Sequence, residues 1–252
     1  MSNEVLYAVI DRTATITLNR PQFKNALNQS ALDALTARIV EARDDDQVWI
    51  VLIRAAGSDF CVGQDIKELA DKGNRGDYFE PVFRALKSIY KPVICAAQGL
   101  CLAGGAGIFM GADIRILGRG ARMGWPHARI GLCSIGAPST LARMVPVNVA
   151  LELMFTGEFI DAPRALALGL ANYVVADDAL EDKLGEMSRK VTANAPLAIR
   201  AMKQATVTTL DQPYDEALRG AHAILDRVMT TADAQEGMQA FVEKRKPQWR
   251  AR

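Results

Sequence analysis

Apolar positions fall in short blocks separated by turn-forming residues. Residues 5–10 and 14–18 read as two strands joined at Asp11-Arg12, and Asn19-Arg20-Pro21 ends that pattern. Leu32, Leu35, Ile39 and Val40 then recur at helical spacing, which predicts a helix to about Arg43 capped by Ser30. Residues 49–53 form a short apolar strand, followed by a loop at 55–58. The turn Val62-Gly63-Gln64 opens a helical segment at 65–69. Residues 73–77 read as a loop and 79–89 as a helix. Lys91-Pro92 introduces a strand at 93–97, then a glycine turn over 99–105 and a helix to about Gly111.

A strand at 114–117 follows almost at once, and residues 124–139 are rich in Gly and Pro. Helices are predicted at 149–155 and 163–168, the second with Asp161 as its cap. Residues 173–175 are the last strand, and only helices are expected from Asp178 onward. Strands alternating with helices imply the α/β class, built from repeated ββα or βα units. The chain divides on this reading into an α/β part, residues 1–195, and a helical part, residues 196–252.

The 252 residues are 50% hydrophobic and 23% charged, enough apolar matter for a sizeable core. Lys and Arg number 30 against 29 Asp and Glu, so the net charge of +1 offers no general field for nucleic acid or a membrane surface. The stretch 93–112 is uncharged for 20 residues, the length of a membrane span, but it holds five glycines and a glutamine. A strand, a turn and a buried helix explain it better, and no membrane partner is expected. Two histidines make a histidine-rich metal site improbable. Cys61, Cys95, Cys101 and Cys133 lack CxxC spacing and read as buried free thiols of a reducing compartment. The first residues carry no basic stretch followed by a long apolar run, so a cytoplasmic location is expected.

Two junctions stand out. In each, an apolar strand passes through glycines into a helix: 49–53 into Phe60-Cys61-Val62-Gly63-Gln64-Asp65, and 93–97 into Gly99 through Gly105. A helix start offers unpaired N–H groups and a positive dipole end, and glycine lets a ligand approach the backbone. Two such N–H groups converging on one point make an oxyanion hole; glycines that serve only tight turns and helix packing are the plainer alternative. Gly105-Ala106-Gly107 with Gly111 lacks the crossover helix and acidic strand end of a dinucleotide site. Neither GxxxxGK[ST] nor GxSxG is present. His127, in Trp125-Pro126-His127-Ala128-Arg129, has the chemistry of a proton carrier, or of a structural histidine beside a proline turn. His222 reads as helix surface or subunit interface. The basic closing segment 243–250 reads as a solvated face that could also touch a phosphate-bearing ligand.

Together these residues resemble the crotonase, or enoyl-CoA hydratase/isomerase, superfamily over nearly the whole chain. The resemblance rests on Asn19-Arg20-Pro21 through Asn25-Ala26-Leu27, on Phe60 to Glu68, and on Lys91 to Gly99 with Ala103-Gly104-Gly105-Ala106-Gly107. Thr156-Gly157 through Ala165 to Gly169-Leu170, Asn194 to Ala198, and Phe241 to Pro247 complete it. It implies a spiral of stacked ββα units with a helical C-terminal region that drives trimer formation, and hexamers as dimers of trimers. It implies a CoA thioester as substrate, with no further cofactor. The backbone N–H groups of Gln64 and Gly104 are implied to hold the thioester oxygen. Lys24, Ala26, Asp65 and Ile66 fall where the family contacts CoA.

Here the chain departs from the hydratase pattern. The two glutamates of the hydratases become Gly107 and His127, and the aspartate that some family isomerases carry becomes Ile135. One imidazole beside an oxyanion hole suits a single-site proton shuttle, as in double-bond isomerisation; decarboxylation needs still less, and hydration by His127 alone stays open. Trp125 is a candidate acyl-pocket residue or ordinary core. Two other readings remain: a hydrolase using Ser134 or Cys133 beside His127, and a non-catalytic acyl-CoA-binding protein.

Overall fold

The computed structural model describes residues 3–72, 78–134 and 136–252, so the loop expected at 73–77 lies outside the described residues. Contacts divide the chain into two compact units. One comprises residues 90–92 and 189–252, and the other the remainder.

In the larger unit β1 (Val5–Ile10) pairs antiparallel with β2 (Thr13–Leu18). After α1 (Gln29–Asp44), β3 (Ile50–Ala55) lies parallel to β2. The helices α2 (Ile66–Lys72) and α3 (Glu80–Ser88) lead to β4 (Val93–Ala97), parallel to β3. The predicted glycine turn contains a further strand, β5 (Leu100–Leu102), before α4 (Gly104–Met110). Next come β6 (Ile114–Gly118), β7 (Arg122–Gly124), a 3-10 turn at Pro126–Ile130, and α5 (Gly136–Thr140). Then α6 (Val147–Thr156), β8 (Ile160–Asp161), α7 (Ala162–Ala167) and β9 (Tyr173–Val175) close the unit, and α8 (Leu180–Thr192) carries the chain on. The main sheet has the order β1-β2-β3-β4-β6-β9. All five residues of β4 are buried, the pattern of a parallel strand covered on both faces.

The short segments form a second ladder. Leu27 bridges Gln64, Cys61 bridges Cys101, β5 pairs with β7, and β7 with β8. Four main-sheet strands, β2, β3, β4 and β6, are each followed by a short segment of the second ladder and then a helix. The units run β2, Leu27, α1; then β3, Cys61 to Gln64, α2 and α3; then β4, β5, α4; then β6, β7, α5. This is the spiral of stacked ββα units that the sequence implied. Consecutive units lie side by side, so equivalent turns become neighbours.

Side-chain caps open α7 and α1. Asp161 accepts from the Arg164 N–H as expected, but α1 is capped by Asn28, which accepts from Ala31 N, not by Ser30. Ser30 already lies inside the helix.

The smaller unit is helical: α9 (Pro196–Thr209), α10 (Tyr214–Met229) and α11 (Ala232–Glu243). Its C-terminal tail folds back on itself. The buried Asp233 carboxylate accepts from Arg250 N at 2.7 Å and Ala251 N at 2.9 Å, and the Trp249 indole donates to Ala193 O at 2.8 Å. In the basic closing segment Arg245 pairs with Glu236 and Glu243, and its hydrogen bonds hold the Glu236 carboxyl down at about 2.

Candidate active site

The two glycine junctions meet. Cys61 N donates to Leu100 O at 3.0 Å, and Leu102 N to Cys61 O at 2.9 Å, which locks one turn beside the other. Just beyond, Gly63 has φ +95°, and a Cβ there would stand 2.7 Å from Ala103 Cβ and 3.1 Å from Gly104 N. Only glycine permits that approach. On the other side, Leu27 N donates to Gly63 O at 2.8 Å, and Asp65 N to Leu27 O at 2.9 Å. These bonds flank Gln64, whose own N–H meets no acceptor among the described residues. Gly104 is the first residue of α4, so its N–H has no partner within the helix either. Ala103, the residue before it, is held at φ 52°, ψ −120° by its N–H bond to Gly124 O at 2.9 Å. A non-glycine residue in that conformation stores strain of about 1–3 kcal/mol, of the kind that gathers at functional sites.

That bond to Gly124 also places the strand end that leads to His127. Trp125 is 2% exposed and belongs to the hydrophobic core. His127 follows in the 3-10 turn, half-buried, with a buried Nδ1 that has no hydrogen-bond partner among the described residues. Burial lowers its pKa, and the Trp125 backbone acts in the opposite sense. Burial thus favours the neutral imidazole, the form in which it accepts a proton. Ser134 is occupied otherwise: its Oγ accepts from Ala137 N at 3.0 Å and caps α5. Cys133 is exposed, and no hydrogen bond joins it or Ser134 to His127 among the described residues. Ile135 lies outside the described residues, and His222 is exposed on α10.

Gly107, where the hydratase pattern has a glutamate, lies under an aromatic ring. A Cβ on Gly107 would stand 2.7 Å from Phe83 Cζ, and one on Gly104 would stand 2.2 Å from Phe79 Cζ. The two rings stack with centroids 5.8 Å apart.

The expected CoA-contacting positions come together around a buried cation. Arg20, whose side chain is 8% exposed, pairs with Glu4 at 2.9 Å and with Asp65 at 3.3 Å, and its guanidinium donates to Ala26 O. Buried Asn25 accepts from Arg20 N and donates to Ala56 O and Asp59 O, tying this loop to the one after β3. Lys24 is exposed and its carbonyl accepts from Val62 N at 3.3 Å. Ile66 is 47% exposed. Asp65 turns inward: one carboxylate oxygen meets Arg20, and the other accepts from Lys67 N and Glu68 N at the start of α2. Lys24 and Ile66 thus present side chains outward, whereas Asp65 holds the loop. Phe79 and Phe83 are candidate-site residues that sequence reasoning missed, and Arg20 and Asn25 entered it only within a motif; each acts through partners distant in sequence. Among the described residues no group of three or more His, Cys, Asp or Glu side chains gathers as a metal would need.

Comparison with known proteins agrees with this architecture. The sequence matches the enoyl-CoA hydratase/isomerase family over residues 11–252. It is 36% identical to a short-chain-enoyl-CoA hydratase of Clostridium acetobutylicum, covering 97% of this chain and 96% of that protein. It is 31% identical to an (E)-benzylidenesuccinyl-CoA hydratase of Thauera aromatica, over 98% of each. The crystal structure of an enoyl-CoA hydratase/isomerase from Mycobacterium paratuberculosis superimposes with a TM-score of 0.91, at 36% identity and 99% coverage of both chains. With its stacked ββα units and its full-length match, the chain belongs to the enoyl-CoA hydratase/isomerase family.

Proposed function

We infer that the protein acts on acyl-CoA thioesters by forming and reprotonating a thioester enolate. The Gln64 and Gly104 N–H groups form the oxyanion hole, and His127 moves the proton. The observation that carries this reading is the close approach of Gly63 to Gly104, which sets two N–H groups without chain partners on adjacent turns. Removing the α-proton of a thioester places negative charge on its oxygen. Donors fixed at that oxygen beforehand stabilise the charge without reorganising as it forms. A neutral, half-buried imidazole supplies the base.

The reaction best suited to this set is transfer of a proton between two carbons of an enoyl chain, a double-bond isomerisation. Addition of water asks one group to activate the water and another to handle the α-proton. Gly107 offers neither, and Phe83 fills the space beside it. Hydration, the activity named for both curated relatives, would require His127 to serve both steps. The Ser134 cap counts against the hydrolase reading.

Coenzyme A is carried in as part of the substrate, its nucleotide end meeting Lys24 and Ile66, with Ala26 and Asp65 shaping that loop; no separate cofactor takes part. A homotrimer or hexamer would cover the apolar surface of the C-terminal helices. There α10 has no buried residue, and Phe241 is 85% exposed. The compartment proposed is the cytoplasm; among the described residues no helix is long and apolar enough to cross a membrane.

Vibrational spectroscopy of a carbonyl-labelled enoyl-CoA tests the oxyanion hole directly. The thioester C=O stretch is expected to move to lower frequency on binding. A tightly bound thioester with an unshifted carbonyl would contradict the assignment.

A further inference from the structure

Three glycines on two elements yield their side-chain space to one pair of rings. A Cβ on Gly104, the first residue of α4, would stand 2.2 Å from Phe79 Cζ. One turn later Phe83 covers Gly107, and on α5 a Cβ on Gly136 would stand 3.0 Å from the same ring. The rings stack at an interplanar angle of 26°. Both are only half-buried, so part of each faces outward from the core they pack against. Glycine at all three places brings the rings against the backbone beside the N–H of Gly104.

Resting on the thioester reading above, we propose that the Phe79–Phe83 pair is the specificity wall of the acyl site and selects short, unbranched acyl chains. A thioester oxygen held at Gly104 N sets its acyl carbons beside these rings. Volume filled by the rings is denied to a longer or branched chain. The planar faces suit a flat, conjugated enoyl group.

The test compares binding of saturated butanoyl-CoA and decanoyl-CoA by calorimetry, in the wild type, Phe83→Ala and Phe83→Leu. Saturated thioesters undergo no net conversion, since α-proton exchange returns the same molecule, so the readout does not depend on which reaction follows. The wild type is expected to prefer the short chain. Phe83→Ala is expected to move the ratio of dissociation constants at least about 10-fold toward the long chain, the scale on which hydrophobic pockets discriminate. Phe83→Leu keeps most of the packing and is expected to move it in the same direction. An unchanged ratio in both variants, with binding retained, overturns the wall while leaving the thioester reading intact. Failure of the wild type to bind either thioester overturns that reading and the wall with it.

Discussion

Gly63→Ala tests the junction on which the active-site assignment depends. The substitution has two separable costs. At φ +95° an alanine side chain crowds its own backbone, which costs about 1–2 kcal/mol. Its methyl carbon would also stand 2.7 Å from Ala103 Cβ, well inside contact distance, and overpacking of this kind costs about 1–3 kcal/mol. The expected loss of stability is therefore about 2–5 kcal/mol by urea unfolding. Gly169→Ala is the control: it carries φ +73° but has no atom of the described residues within 4 Å of the new methyl, so it shows the backbone cost alone. Gly63→Ala also pushes the Gln64 turn away from Gly104. Displacing one donor of an oxyanion hole lowers the rate about 100- to 1,000-fold. The assay is exchange of the thioester α-proton with heavy water, measured beside the unfolding curves. A Gly63→Ala protein no less stable than Gly169→Ala, exchanging at the wild-type rate, would refute the contact between the turns.

Arg20→Met should cost about 3–5 kcal/mol, because it leaves the Glu4 and Asp65 carboxylates without their buried partner; urea unfolding reads this directly. Ala103→Gly should raise stability by about 1 kcal/mol, relief of strain at φ 52° exceeding the added freedom of the unfolded chain, and thermal unfolding measures it. Burial lowers the pKa of His127, so the unfolded imidazole gains its proton first as pH falls. The stability owed to neutral His127 should be complete above about pH 6.5 and decline below it, and His127→Gln should flatten that part of the profile.

Much of the main sheet was legible because its strands are apolar runs bounded by turns. Residues 5–10, 93–97 and 173–175 were bounded as the structure has them. The second ladder was hidden. Leu100–Leu102 lies among turn-forming glycines, Ile160–Asp161 is only two residues, and Leu27 and Cys61 join it through single bridges. The cap of α1 was misplaced because Asn28 and Ser30 are both competent caps, and only backbone geometry decides which carbonyl begins the helix. The glycine junctions were visible, but their meeting was not. It follows from stacking one ββα unit on the next, which brings Gly63 to Gly104 across the intervening helices. Likewise no local signal connects Phe83 with Gly107 or Arg20 with Asp65.

The central claim is that His127 moves the α-proton of a thioester held at Gln64 and Gly104. Mass spectrometry of α-proton exchange in heavy water, with wild type and His127→Ala on a panel of saturated and enoyl-CoAs, tests it most directly. The account predicts exchange by the wild type and a loss of about 100- to 10,000-fold in the variant, with acyl-CoA binding retained. Undiminished exchange by His127→Ala, or tight binding by the wild type with no exchange across the panel, would contradict it.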